Sequence, residues 1–374
     1  MPRPRFRHAG NVCKLPTARW DSAFLRACRG EPVPHTPVWL MRQAGRYMGH
    51  YRGIRSTRSF LELCKDPAAA AEVTLFARAW LGVDAAIIFS DILVVLETLG
   101  LPLSFNAGEG PVLSEPIRDA AAVERLRDPR QAAADLSYVH EAIRLTVRGL
   151  PADIPLIGFC GAPFTLAAYA IEGGSSRQFA RTKTFMYRAG AAWHQFQETL
   201  VETLVPYLAA QIAAGASAVQ IFDSWVGTLT RADFAEFVQP HLTVLVQSVP
   251  AGVPVIVFGT GSGHLLDLIA ATGADVVGLD TTTDLAAGWQ VAGGQQRVAV
   301  QGNLDPTLLL ADVPRLEAGV AAVLAAANGR PGHIFNLGHG VLKETDPDMA
   351  KRLVDCVHQR SASSSAINTG RSFP

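Results

Sequence analysis

The chain has no charge surplus: over 374 residues, Lys plus Arg number 33 and so do Asp plus Glu. Neutralising a nucleic-acid backbone takes basic residues in excess, so a polyanionic polymer is excluded as a general partner. Cysteine is scarce and never arranged as Cys-x-x-Cys. The five cysteines, Cys13, Cys28, Cys64, Cys160 and Cys356, are scattered and odd in number, which fits a reducing compartment and offers no disulfide framework. No uninterrupted run of about twenty apolar residues exists to span a bilayer. The chain also lacks the glycine-rich cradles of nucleotide binders: no Gly-x-Gly-x-x-Gly follows the first apolar run, and no Gly-x-x-x-x-Gly-Lys-Ser/Thr occurs.

What is present is most distinctive at 37–47, Pro-Val-Trp-Leu-Met-Arg-Gln-Ala-Gly-Arg-Tyr. Four apolar residues that need burial run directly into Arg42 and Arg46, which need an anion or water, so the run should end at the mouth of a pocket. Guanidinium groups grip carboxylates in two places at once, and Arg52, Arg55 and Arg58 follow, so an acidic small molecule is expected there. Gln43, Ala44 and Gly45 interleave the arginines with a neutral donor and with small residues that let backbone approach a ligand. A solvated basic turn would require none of these.

Between its ends the chain repeats one pattern, a short Val/Ile/Phe-rich run followed by a longer Ala/Leu-rich stretch with helical spacing. Eight such runs occur, at 36–41, 85–89, 155–159, 218–222, 254–258, 276–279, 298–300 and 333–336. Strand alternating with helix implies parallel strands, and this number predicts a closed (β/α)8 TIM barrel over 21–358, with an open doubly wound sheet as the alternative. Residues 1–20 read as a disordered extension: Arg3, Arg5, Arg7 and His8 come without acids and without a secretory apolar core. Residues 359–374 read as a frayed tail.

Barrel enzymes carry their chemistry where strands end. Here the runs end in Arg42-Gln43, Ser90-Asp91, Cys160-Gly161, Asp223-Ser224-Trp225, Gly259, Asp280, Gln301-Gly302-Asn303 and Gly338-His339-Gly340, whereas the opposite ends carry ordinary turn residues such as Gly82 and Gly273. That asymmetry points to an enzyme.

Several blocks share an order with a known family. Besides 37–47, they are Phe89-Ser90-Asp91-Ile92-Leu93, 158–165, 169–174, Phe222-Asp223-Ser224-Trp225, 301–306 and Asn336-Leu337-Gly338-His339-Gly340. Together they resemble the uroporphyrinogen decarboxylases of haem biosynthesis, from about Asp21 to about His358. The resemblance implies a cofactor-free, metal-free, homodimeric cytoplasmic enzyme acting on the acetate side chains of a reduced tetrapyrrole. It also places Arg42, Gln43, Ala44, Gly45 and Arg46 at substrate carboxylates, Asp91 at the pyrrole N–H groups, and Tyr169, Ser224 and His339 at further substrate contacts, with Asp91 and Arg42 as catalytic candidates. The chain departs from the family at Gly49-His50, where Pro-Glu is usual and a more mobile loop is expected here, and at Thr281, where Trp is common.

Each site residue also has a structural role available to it: a helix cap for Asp91 and Ser224, core packing for Tyr169, a turn for His339. Two further classes compete. A zinc-dependent methyltransferase on the same barrel would need thiolate ligands, typically His-x-Cys plus a distant Cys, which the chain lacks. A tetrapyrrole carrier would keep the arginines with no need for Asp91.

Overall fold

The computed structural model describes residues 16–106, 110–293 and 298–368. Its strands are β1 (Ala86–Ile87), β2 (Leu103–Asn106), β3 (Gly110–Leu113), β4 (Leu156–Gly161), β5 (Ala218–Asp223), β6 (Val255–Gly259), β7 (Val276–Gly278), β8 (Ala299–Gln301) and β9 (His333–Ile334). Seven form one curled parallel sheet in the order β1-β4-β5-β6-β7-β8-β9, and each coincides with one of the apolar runs. The helices cross over between them. That of 163–172, for instance, begins at Pro163, which needs no N–H partner in the first turn, and stops at Gly173, whose φ of 86° a Cβ would strain.

The first run, 36–41, is not a regular strand. It makes a single parallel bridge, Val38 to Phe335. Phe335 donates to the Pro37 carbonyl at 2.8 Å on one side, and the Asp84 N–H donates to the Val38 carbonyl at 2.9 Å on the other. The ladder stops there because side chains take over: Gln43 Oε1 accepts from Leu40 N–H at 3.3 Å and Asn336 Oδ1 from Met41 N–H at 3.1 Å. Pro37 has no N–H to give.

Parallel strands put paired residues on the same face, so the register divides the sheet. Phe159, Phe222 and Phe258 share the concave face, and their rings lie 5.6 Å and 6.3 Å apart. On that face Gln301 accepts from the Trp39 indole at 2.9 Å and donates to Gln220 at 3.1 Å, so amides and aromatics fill the interior. Toward β1 the backbone of Phe159 has no strand partner, because β1 ends first. Gln211 on the helix of 190–214 instead accepts from its N–H and donates to its carbonyl, both at 2.9 Å.

Three features lie outside the expectations from sequence. The antiparallel hairpin β2–β3 was not foreseen. The expected tail from 359 is the end of a helix running Pro347–Asn368: Ser361 is buried, accepts from Thr36 N–H at 3.0 Å and donates to the Val357 carbonyl at 2.7 Å. The expected extension 1–20 includes a short helix, Thr17–Trp20; its first fifteen residues lie outside the described residues. Among the described residues, no helix is long and apolar enough to cross a membrane.

Candidate active site

Arg42, at the end of the first run, carries a constrained backbone. Its φ is 63°, a left-handed conformation that costs an L side chain about 1–2 kcal/mol. Such strain persists where the surroundings impose it, and it clusters at ligand sites. Gly340 leaves room for the side chain so placed: a Cβ there would fall 2.4 Å from Arg42 Cδ and 2.8 Å from its Cγ. The arginine side chain therefore lies across Gly340, and the residue is exposed, so its guanidinium can meet an anion.

Asp91 stands beyond β1, two residues past Phe89, within electrostatic reach of Arg42 and Tyr169. Its Oδ1 accepts from Leu93 N–H at 2.8 Å, an Asx turn and not a helix cap, since the following helix starts at Val94 with an uncapped Leu93 before it. Burial pushes its carboxyl up to about 6, against the Leu93 hydrogen bond and the charge of Arg42, which both favour ionisation. It is an anion at neutral pH, held at a site that would welcome a cation.

Tyr169, on the helix of 163–172, feels both Asp91 and Arg42. Its phenol is pushed up to about 12 by burial first and by the Asp91 charge second, so it stays neutral. Its ring packs edge-on against Trp225 at 5.7 Å. His339 is exposed at the loop surface, yet the protein crowding around it and the charge of Arg42 hold its imidazole below the usual value. Ser224 is half-buried and caps no helix: the 3-10 turn of 226–228 has Trp225 before it and no side-chain cap. Arg42 is thus the common electrostatic neighbour of Asp91, Tyr169 and His339.

The rest of 43–46 divides. Ala44 and Gly45 are half-exposed and Arg46 is exposed. Gln43 points the other way: it is fully buried, and its amide is taken by Leu40 N–H and, at 3.4 Å, the Ala85 carbonyl. Its side chain braces the loop from beneath. The tyrosine that follows closes the same brace, Tyr47 donating to the Gln43 carbonyl at 2.7 Å.

Gly49-His50 is more ordered than expected. Gly49 begins a helix, Gly49–Arg55, and His50 stacks on Phe76 with centroids 4.0 Å apart while its Nε2 lies 3.1 Å from Glu72. Thr281 is exposed, and its backbone N sits where a Cβ on Gly338 would be, 2.3 Å away.

Sequence reasoning gave no role to Asp223. It is 1% exposed, accepts from the Thr165 hydroxyl at 2.6 Å through Oδ1, and is pushed up to about 7 by burial. Thr165 in turn accepts from Trp225 N–H at 3.2 Å. This clip joins the helix carrying Tyr169 to the loop carrying Ser224. Asn336 likewise went unassigned, although its Oδ1 receives both Met41 N–H and, at 2.8 Å, Leu337 N–H, fastening the Arg42 loop to the His339 loop.

Comparison with known proteins gives a consistent result. The family model described as uroporphyrinogen decarboxylase (URO-D) matches residues 20–360. The uroporphyrinogen decarboxylase of Koribacter versatilis is 50% identical over 344 residues, covering 91% of this chain and 97% of that protein. That of a Roseiflexus species is 52% identical over 350 residues, covering 91% and 99%. Among solved structures, a methyltransferase from Methanosarcina mazei aligns with a TM-score of 0.76 at 19% identity, covering 91% of this chain and 99% of that one. A B12-independent methionine synthase from a Shewanella species aligns at 0.53 and 10% identity, covering 83% and 89%. At such identities the two structures share the fold alone.

Proposed function

The chain belongs to the uroporphyrinogen decarboxylase family, and we propose that it is a carboxy-lyase converting the acetate side chains of uroporphyrinogen III to methyls, giving coproporphyrinogen III. The match over residues 20–360 carries this reading. The methyltransferase alternative is not favoured: relatives at about half identity carry the decarboxylase name, whereas the methyltransferase likeness is one of fold. The run 36–41, bonded toward β9 on one side and β1 on the other, is read as the eighth stave of a (β/α)8 barrel.

The chemistry follows from the substrate. Losing carbon dioxide from an acetate leaves an electron pair that something must accept, and no organic cofactor is invoked. A pyrrole protonated at the ring α-carbon next to the one bearing the acetate is such an acceptor, because positive charge then reaches the acetate-bearing carbon and the released pair can form an exocyclic C=CH2 bond. As the C–C bond breaks, its electrons neutralise the cationic ring and carbon dioxide departs. A proton then adds to the exocyclic carbon and the ring proton leaves, so each cycle consumes one proton and yields a methyl. Asp91 stabilises the cationic ring more than the neutral ground state, which is the condition for lowering the barrier. Arg42 and Arg46 hold substrate carboxylates, with Ala44 and Gly45 at their backbone. Tyr169, Ser224 and His339 line the remaining contact surface, and Gln43 supports it. The protein works as a homodimer in the reducing cytoplasm, in keeping with the family resemblance and with four free, buried cysteines among the described residues.

The test is anaerobic incubation with chemically reduced uroporphyrinogen III, followed by separation of products by carboxylate number. Sequential loss of carboxylates to coproporphyrinogen is expected. Unchanged substrate, with the protein folded and bound to it, would leave only a carrier.

A further inference from the structure

At the opposite end of the sheet from Arg42, three side chains distant in sequence converge. His35 precedes the first run, Asp84 precedes β1, and His358 lies on the helix of 347–368. The His35 Nε2 is 2.9 Å from Asp84 Oδ1, the His358 Nε2 is 2.8 Å from Asp84 Oδ2, and all three ligand atoms lie within 4.8 Å of one another. The two rings meet edge to face with centroids 4.8 Å apart.

We propose that His35, Asp84 and His358 form a binding site for a zinc-like divalent transition-metal ion that ties the ends of the chain together and takes no part in decarboxylation. Two imidazoles and one carboxylate are a donor set for Zn2+ or Co2+, leaving a position for water. With bonds of roughly 2.0–2.2 Å, neighbouring ligand atoms on a tetrahedron stand about 3.3–3.5 Å apart. The two N···O pairs therefore need to open by about half an ångström. Side-chain exposures of 28%, 16% and 31% leave solvent a route in and give the rings that room.

Asp84 also has the backbone support expected of an oriented ligand, since its Oδ2 accepts from Val38 N–H at 2.7 Å. Without an ion, each imidazole carries its proton on Nε2 and donates it to one carboxylate oxygen. With an ion, each neutral ring takes its Nδ1–H tautomer, so that the Nε2 lone pair faces the metal. The same arrangement serves both states, so supplying the metal decides between them. Because the site joins the start of the first run, the start of β1 and the C-terminal helix, its effect belongs to stability, as is usual at the N-terminal face of a barrel. The expectation of a metal-free active site concerns the other end of the strands and is untouched.

The test uses untagged full-length protein stripped with chelator and titrated with ZnCl2 calorimetrically, and with CoCl2 in visible absorption. One ion per chain is expected, with a higher melting temperature in zinc, and Co2+ should show ligand-field bands without thiolate charge transfer. His358→Gln and His35→Gln, neither near the decarboxylation site, should each weaken binding at least tenfold and abolish the melting shift while keeping wild-type turnover. Absence of saturable binding in the wild type would overturn the proposal and leave a purely hydrogen-bonded clamp. So would binding that persists unchanged in both variants.

Discussion

Replacing Asp91 by Asn removes one negative charge and little else. The Asx turn survives, because an Asn carbonyl accepts from Leu93 N–H as the carboxylate does now at 2.8 Å. The size of the effect follows from the carboxyl's displaced ionisation. Moving from 3.8 to about 6, at 1.36 kcal/mol per pH unit, means that burial makes the Asp91 anion about 3 kcal/mol less comfortable than in water. A cationic ring formed beside it during the reaction relieves that discomfort, and the neutral pyrrole ring of the ground state does not. Loss of a comparable preorganised stabiliser costs roughly 10²–10³ in rate, or about 3–4 kcal/mol, so the two magnitudes agree. Steady-state kinetics on reduced substrate should show kcat falling by about that factor with KM little changed. The pH dependence supplies a second readout. Wild-type kcat/KM should decline below about pH 6 as the free enzyme's Asp91 is protonated, and the Asn enzyme should lack that limb. A folded Asn enzyme with near wild-type kcat, or one that retains the acid limb, refutes the electrostatic role and leaves Asp91 as a turn residue.

Arg42→Lys and Arg46→Lys keep the charge but lose the planar fork, and kcat/KM should fall about tenfold or more in each, 1.4 kcal/mol per decade; unchanged kinetics would mean a merely solvated turn. Gly340→Ala should raise KM without unfolding the protein, because its Cβ would occupy the space of Arg42 Cγ and Cδ; an unaltered KM counts against the placement of Arg42. Gly49→Pro should stabilise by about 0.4–1 kcal/mol, since Gly49 is the first helical residue and Met48 before it is extended at ψ 131°. His50→Glu should do the reverse, losing the Phe76 stack and adding a charge beside Glu72, and thermal unfolding of the two single variants separates them. Asp223→Asn should stabilise at pH 8 and much less at pH 5. The folded carboxyl keeps its proton up to about 7 while the unfolded one releases it near 3.8, so wild-type stability falls as pH rises across that interval, by up to about 4 kcal/mol. Denaturant unfolding at both pH values measures the difference.

Strands were legible because burial on both faces writes them as continuous Val/Ile/Phe runs, and every run except 36–41 holds a strand of the sheet. The exception fails for reasons invisible in hydrophobicity: Gln43 and Asn336 supply the bonds that a ladder would. The hairpin β2–β3 escaped because Leu103–Asn106 and Gly110–Leu113 are short and only partly apolar. The Gly49 helix escaped because a glycine after Arg-Tyr reads as looseness, whereas the stabilising contact, His50 on Phe76, is tertiary. At the site, Arg42 and Asp91 were legible as polar residues ending apolar runs. The direction of Gln43 was not, since a turn decides it and Arg42 at φ 63° is where the chain turns.

Asp223 and Ser224 show where the limit lies. They are adjacent and both follow an apolar run, and one sequence does not say which of them faces the substrate side. The neighbouring strands decide it. Phe222 pairs with Phe258 and meets both Phe258 and Phe159 through its ring, which fixes Phe222 on the concave face. Alternation then turns Asp223 outward, where Thr165 on the covering helix meets it at 2.6 Å. A one-residue slip of β5 would turn Asp223 to the concave face and break its contact with Thr165. The aromatic stack on three adjacent strands is what prevents the slip. Register, a property of packing between distant runs, thus turns the Asp223 carboxylate toward Thr165, where it joins the helix of 163–172 to the end of β5.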